Sequence, residues 1–260
     1  MSVAIRAPAG VRVIDALVYA GPSRFGGGRT LDELRADAGR LGLNALVAAP
    51  ARPPDQDLTR ASRELARRCA ETGDRAVARL DPWDDQAPEA LAELVDEPGV
   101  AGLLLHPWEE TFRANHPRAI ALASTAAEAG LTVVVEAGHP LLGEALAVAE
   151  LARAVAPAPV VATRALQLNM SGLGQRSADM ALDSAPNLHL HAAGMYRQDW
   201  LEQTIAAIGA ERVLFASLAP VFDQRLELAR FLEAPLSDDD LRRVLAGNAM
   251  RLFRGGGEAK

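Results

Sequence analysis

The chain has 260 residues, of which 49% are hydrophobic, so it can bury one large core, and its formal net charge of −7 with no block of basic residues argues against nucleic acid as a partner. Cys69 is the only cysteine, which excludes an internal disulfide and fits a reducing, cytoplasmic location. No run of about 18 apolar residues is present and the N-terminus does not resemble a signal peptide, so no membrane segment is predicted.

Short apolar runs rich in Val and Leu alternate with amphipathic runs along the chain. Runs of this length bounded by Gly or Pro are typical of strands buried on both faces. Strands are predicted at 12–19, 44–48, 75–80, 100–106, 131–137, 160–170, 187–192 and 212–217, and the sixth also fits a strand followed by a turn. Helices are predicted between them at 31–41, 58–72, 88–96, 117–130, 142–155, 176–184, 197–209 and 222–233.

Eight strands alternating with eight helices predict an α/β fold, a (β/α)8 TIM barrel that forms a single domain over residues 1–254. Residues 237–253 add an extra C-terminal helix, and residues 255–260 are predicted to be a disordered tail. The first helix has Thr30 as its N-cap and Glu33 placed for a capping box. A doubly wound open sheet is the alternative, but the glycine run lies beyond the first strand and no GxGxxG motif follows it.

The basic residues are almost all arginine. Of the 27, only Lys260 is a lysine, and it lies in the tail GGGEAK. Schiff-base chemistry requires a lysine amine in a pocket, so lysine-dependent aldolase chemistry is excluded.

The candidate site residues lie where strands end, because barrels carry their function at the C-terminal ends of the strands and in the loops that follow. These residues are Asp15, Leu17 and Tyr19 on the first strand, His106 on the fourth, Glu136 and His139 on the fifth, Asn169 on the sixth, His189 and His191 on the seventh, and Ser217 and Leu218 on the eighth.

Several of these segments resemble the motifs of one family in order and spacing. The first strand reads IDALVYAGP, which resembles the opening motif ID-x-H-x-H-x-G. The fourth reads VAGLLLHP, and the eighth reads ERVLFASLAP with VLAGNAMRLF after it, which resembles a closing GSD-x-P motif and the helix that follows. On these motifs nearly the whole chain is similar to the amidohydrolase-related family of metal-dependent hydrolases, which includes decarboxylases. The resemblance implies a TIM barrel.

The resemblance also implies where a metal would bind, and those positions are changed. The two histidines of the first motif fall on Leu17 and Tyr19, and the strand-five histidine falls on Glu136. The strand-six histidine falls on Asn169 and the metal-binding aspartate on Leu218. A metal site needs roughly three or four N, O or S ligands, and only Glu136 is a good one. We therefore expect no metal or other cofactor, and no metal-assisted hydrolysis by the family mechanism.

Glu136, His106 and Tyr19 are the candidates for acid–base chemistry without a metal. An apolar barrel mouth would raise the pKa of Glu136 and make it a general base. Pairing with an arginine such as Arg79 or Arg164 would instead make it structural. The alternative to an acid–base role for His106 is a structural role in which it anchors a loop.

The candidates for ligand contact are Tyr19, Asn169, His191, Leu17 and Leu218. His189 and His191 lie two residues apart and therefore on one face of a strand. Together with Glu136 they form an alternative metal site, although satisfied polar side chains inside the barrel are the simpler interpretation.

Three functions are compatible with these residues. The first is an amidohydrolase-like barrel that has lost the metal centre and acts as a non-catalytic binding or partner subunit, with an active paralogue, another copy of itself, or a small molecule at the barrel mouth as its partner. The second is a metal-independent hydrolase or lyase that uses Glu136 with His106 or Tyr19 on a small carboxylate or lactone-like substrate. The third is a metal-dependent amidohydrolase with rearranged ligands.

Overall fold

The structure, a computed structural model, describes residues 5–167, 172–195 and 197–254, so the predicted tail at 255–260 lies outside the described residues. The strands are β1 Ile14–Ala20, β2 Ala45–Pro50, β3 Arg75–Arg79, β4 Val100–Leu105, β5 Thr132–Val135, β6 Val160–Ala162, β7 Leu188–His191 and β8 Val213–Leu214. The α-helices are α1 Leu31–Leu41, α2 Leu58–Thr72, α3 Ala87–Val95, α4 Pro107–Glu110, α5 Pro117–Glu128, α6 Ala145–Ala154, α7 Gly172–Ser184, α8 Gln198–Ile208, α9 Gln224–Glu233, α10 Asp238–Arg242 and α11 Asn248–Leu252.

The strands form one parallel sheet in the order β1 to β8. Backbone hydrogen bonds between β1 and the segment at β8 close this sheet. The Ala16 amide donates to the Phe215 carbonyl at 3.0 Å, and the Leu218 amide donates to the Leu17 carbonyl at 2.9 Å. Helices separate the consecutive strands, so the chain is a (β/α)8 barrel, as the alternation in the sequence predicts.

Local sequence signals set the ends of the first helices. The Thr30 hydroxyl accepts a hydrogen bond from the Glu33 amide, and the Glu33 carboxylate accepts one from the Thr30 amide, so the predicted capping box is confirmed. Helix α1 stops at Gly42, whose φ of 79° lies in the left-handed region that glycine adopts without a steric penalty. Within the described residues, no helix combines the length and apolar character needed to cross a membrane.

Two apolar layers stabilise the barrel. The inner layer fills the barrel with buried side chains such as Val77 and Leu104. The outer layer lies between strands and helices and includes Leu103 and Val133, because neighbouring residues on a strand point to opposite faces. A functional site is therefore expected at the strand ends, where the apolar filling stops.

The largest differences between predicted and observed strands are at β6 and β8, which are much shorter than predicted. Strand β6 ends at Ala162, and residues 164–166 form a left-handed turn with φ values of 52°, 46° and 65°. The alternative of a strand followed by a turn is therefore the arrangement found. Strand β8 contains only Val213–Leu214, because the following backbone departs from the sheet pattern and bonds to β1 and to the C-terminal helical segment.

The C-terminal helical segment is present, but it is not one regular helix. A π-helical turn at Arg243–Gly247 separates α10 from α11. One helix was not predicted: α4 begins directly after β4, between the predicted strand at 100–106 and the predicted helix at 117–130. His106 is its N-cap and Pro107 its first residue, a position where proline loses no helical hydrogen bond.

Candidate functional site

A cavity of about 440 Å³ lies at the carboxyl ends of the strands, and we call it the mouth pocket. The hydrogen-bonding and charged side chains on its walls include Tyr19, Ser23, Arg52, Arg79, His106, Glu109, His139 and Arg164. Two of the predicted catalytic candidates, Tyr19 and His106, are therefore at the pocket. The third, Glu136, is fully buried and does not line the pocket, although it contacts two residues that do.

Glu136 follows β5 and accepts hydrogen bonds from three side chains. The Tyr19 hydroxyl donates to Oε2 at 2.9 Å and the Thr163 hydroxyl donates to the same oxygen at 2.7 Å. Arg164 Nε donates to Oε1 at 2.5 Å. The left-handed turn after β6 brings Arg164 into this position, and its guanidinium also lies 5.1 Å from the ring centroid of Phe222. Both carboxylate oxygens of Glu136 are thus already engaged.

The electrostatics of Glu136 differ from those expected for a general base. Burial alone raises the pKa of Glu136, but attraction to Arg164 and the hydrogen bonds from Arg164 and Thr163 outweigh burial and lower it to about 2. Burial and the negative charge of Glu136 raise the pKa of Tyr19 well above 10. At neutral pH the site therefore contains an ionised carboxylate held by a neutral phenol and a charged guanidinium.

The His106 side chain forms a hydrogen bond with the protein backbone. Its Nδ1 accepts a hydrogen bond from the Glu109 amide at 3.2 Å, which caps α4. Burial, reinforced by the positive charge of Arg79, lowers the pKa of His106 well below 6.5, so the ring is neutral at neutral pH. Its ring centroid lies 6.1 Å from that of Tyr19. The histidine therefore fixes the start of α4, the helix that carries Glu109.

Leu17 and Leu218 lie in the inner apolar layer, both fully buried, and neither lines the mouth pocket. Leu218 has a φ of 55°, which costs a residue other than glycine about 1–2 kcal/mol. Its backbone is held in place on both sides, because its amide donates to Leu17 and its carbonyl accepts from Val221. The nearby Asp15 also joins β1 to the β8 segment, since its carboxylate accepts from the amide and hydroxyl of Ser217.

The two histidines of β7 have different surroundings. His189 Nε2 lies 3.4 Å from the guanidinium of Arg251, and its Nδ1 lies 3.1 Å from the Asn187 carbonyl. His191 is fully buried, burial lowers its pKa to about 3, and neither ring nitrogen has a hydrogen-bond partner among the described residues. The remaining candidate, Asn169, lies outside the described residues.

A second polar group at the pocket was missed in the sequence. Arg79, at the end of β3, is 1% exposed and donates from Nη2 to Glu109 at 2.5 Å and to Glu110 at 2.6 Å. Arg52 Nε lies 3.8 Å from Glu110. The signal available was an arginine at the end of a strand expected to be buried, with two consecutive glutamates one strand further along the chain. Burial of such a charge requires a partner.

Within residues 5–167, 172–195 and 197–254, no group of three or more His, Cys, Asp and Glu side chains is arranged to hold a metal ion.

Several solved structures share the fold of this barrel. Among solved structures, 2,6-dihydroxybenzoate decarboxylase from Rhizobium superposes with a TM-score of 0.71 at 16% identity, covering 94% of this chain and 98% of that one. An amidohydrolase from Burkholderia multivorans with bound zinc gives a TM-score of 0.75 at 17% identity, with 93% and 99% covered. A probable 2-pyrone-4,6-dicarboxylic acid hydrolase from Acinetobacter baumannii gives 0.73 at 12% identity, with the same coverage.

These structural similarities establish the fold, and no curated protein sequence matches the chain. The family evidence comes from the sequence itself, because a family model described as Amidohydrolase matches residues 70–255, which is more than half of the chain. The chain therefore belongs to the amidohydrolase family.

Proposed function

We propose that this protein is a metal-free member of the amidohydrolase family that binds a small carboxylate ligand in the mouth pocket. The observation that carries the proposal is the mouth pocket itself, into which Arg52, Arg79 and Arg164 project from three different strand ends. A guanidinium group matches a carboxylate through two parallel hydrogen bonds. In this proposal the protein acts as a non-catalytic binding subunit.

The absence of a metal centre from the proposal rests on the donor chemistry of the residues at the family's metal positions. Leu17 and Leu218 offer no donor atom, and Tyr19 is held as a neutral phenol. Glu136 is the one good ligand among them, and its two oxygens are bonded to Arg164, Tyr19 and Thr163. Metal binding would require roughly three converging donor atoms, so these residues do not fit a bound metal ion.

The alternative of a metal-independent hydrolase or lyase is weakened by the state of Glu136. A carboxylate whose pKa is held at about 2 by Arg164 against burial is a poor proton acceptor near neutral pH. His106 is committed to capping α4 and is neutral because of burial, so it is a poor proton donor. These contacts favour binding over acid–base catalysis at this end of the barrel.

The ligand class has support from the solved relatives. One structure of 2,6-dihydroxybenzoate decarboxylase holds 2,6-dihydroxybenzoate, and the hydrolase from Acinetobacter baumannii holds citric acid. Both molecules are carboxylates. In the present pocket an aromatic carboxylate also finds planar neighbours, since Trp108 stacks on His139 at 4.6 Å with an interplanar angle of 9°.

The proposal is tested in two steps on the purified protein. Elemental analysis should find no stoichiometric zinc, manganese or iron. Calorimetric titration with benzoate and 2,6-dihydroxybenzoate should then give saturable binding, which Arg52→Met weakens by roughly tenfold or more through loss of a charged hydrogen bond. Arg225→Met is the matched control, because Arg225 is exposed outside the mouth pocket. Stoichiometric metal, or equal affinity of both variants, would contradict the proposal.

A further inference from the structure

The pair of glutamates on α4 divides into one that faces the mouth pocket and one that lies behind it. Glu109 lines the pocket, whereas Glu110 does not and is 3% exposed. Both accept from the same nitrogen of Arg79, whose guanidinium also donates from Nη1 to the Pro50 carbonyl at 3.3 Å. The buried Glu110 is therefore linked to the pocket through Arg79.

Three atoms of this group lack a hydrogen-bond partner among the residues that the structure describes. They are Nε of Arg52, Nε of Arg79 and Oε2 of Glu110, and all three are buried. The two nitrogens belong to residues that line the pocket, so two arginines at the pocket each keep an unpaired N–H donor. The unpartnered Oε2 is a carboxylate oxygen sealed from water, which is costly unless it gains a partner or a proton.

When Glu110 is ionised, the charges around it are balanced before any ligand binds. Arg79 on β3 and Arg52 after β2 supply two positive charges, while Glu109 and Glu110 supply two negative charges. His106 faces Glu109 at 3.6 Å and is neutral because burial lowers its pKa. An anion in the pocket adds a third negative charge, and Oε2 of Glu110 is the buried oxygen available to accept a compensating proton.

We propose that an anion entering the mouth pocket binds to Arg79 and Arg52 and is accompanied by uptake of one proton on Glu110. The inference rests on the proposed function, in that the anion is a small carboxylate. The step is balanced: one proton from solvent forms an O–H bond at Oε2, and no other covalent bond changes. Glu110 then holds Arg79 less tightly, which leaves that guanidinium free for the ligand.

The resting state of Glu110 agrees with this geometry. Burial raises the pKa of Glu110 to about 7, against the opposing attraction of Arg79 and Arg52. The group is therefore poised near neutral pH, where a nearby negative charge shifts it further towards the protonated form. A carboxylate without burial would remain ionised and could not couple the two events.

The experiment measures proton uptake directly. The probe is 2,6-dihydroxybenzoate, which stays ionised near neutral pH. It is added to the protein in weakly buffered solution at about pH 8. The pH should rise by the amount that corresponds to uptake of nearly one proton per ligand bound. The dissociation constant of the probe should rise by about tenfold per pH unit above pH 7 and should be constant below about pH 6. Saturable binding without proton uptake at about pH 8 would overturn this inference and leave the proposed function standing. Failure of the probe to bind at any pH would overturn both.

Two variants locate the proton. Glu110→Gln keeps the shape and the contact with Arg79, and it should bind the probe with an affinity that no longer changes between about pH 7 and pH 8, without proton uptake. Glu109→Gln is the matched control, because it removes the neighbouring partner of the same guanidinium and should retain the uptake. If Glu110→Gln still takes up a proton, the acceptor is another group, such as His139 on the pocket wall, and the inference is wrong.

Discussion

Arg164→Met removes the charge that holds Glu136 ionised. The Arg164 side chain is 12% exposed and Glu136 is completely buried, so the pair is shielded from solvent. Removing one partner of a buried ion pair costs about 3–5 kcal/mol, because the other charge is left uncompensated. Methionine at position 164 has a similar side-chain volume and must adopt the same left-handed backbone conformation. The loss of stability should therefore arise mainly from removal of the charge.

The pH dependence gives this prediction a sign. In the wild type, attraction to Arg164 and the hydrogen bonds from Arg164 and Thr163 lower the pKa of Glu136 from 4.5 to about 2 despite burial, a shift that corresponds to about 3 kcal/mol. A lowered pKa in the folded state means that this stability is present above pH 4.5 and is lost as the pH falls towards 2. Without Arg164, burial dominates and raises the pKa of Glu136 above 4.5. The variant should therefore lose stability as the pH rises through that raised value.

Urea denaturation followed by circular dichroism at about pH 4, 6 and 8 measures these free energies of unfolding. The double variant Arg164→Met with Glu136→Gln is the control, because it removes both charges and should recover most of the loss. About 1 kcal/mol should remain lost, since Arg164 also lies over the ring of Phe222. A single variant within about 1 kcal/mol of wild type, with an unchanged pH profile, would refute the reasoning.

Further predictions follow from buried groups elsewhere. Burial raises the pKa of Asp15 from 3.8 to about 6, against the hydrogen bonds that it accepts from Ser217 and Gln224. The wild type should therefore lose up to about 3 kcal/mol of folding stability as the pH rises from 3.8 to about 6. Urea denaturation of Asp15→Asn should show no such loss over the same pH range. Burial raises the pKa of Cys69 to about 12, so this thiol should react with Ellman's reagent only as fast as the protein unfolds, and immediate labelling of the native protein would be inconsistent with its position. Leu218→Ala should lower the free energy of unfolding, measured by thermal denaturation, by about 2–5 kcal/mol. Leu218→Gly should be at least as stable as Leu218→Ala, because glycine adopts the left-handed φ of 55° without strain. A glycine variant markedly less stable than the alanine variant would argue against backbone strain at this position.

Much of the barrel could be predicted because its signals are local. Alternating apolar runs, glycine stops and the Thr30–Glu33 capping box each depend on residues a few positions apart, and they predict the eight strands and the major helices. The expectation that Leu17 and Leu218 stand at two of the family's metal positions likewise comes from motif spacing alone. Local patterns therefore determine the fold class and the candidate strand ends.

The identity of each charge's partner depends on contacts between distant residues. Arg79 and Arg164 were both plausible partners for Glu136, and the left-handed turn after β6 brings Arg164 to it across 28 residues of sequence. Arg79 instead reaches the glutamates of α4, a helix that the sequence analysis did not predict. No local periodicity encodes these pairings, because burial and barrel closure bring the charges together only when the whole sheet has formed. The chemistry of the mouth pocket is therefore a property of the closed barrel, whereas the barrel itself can be predicted from the order of its residues.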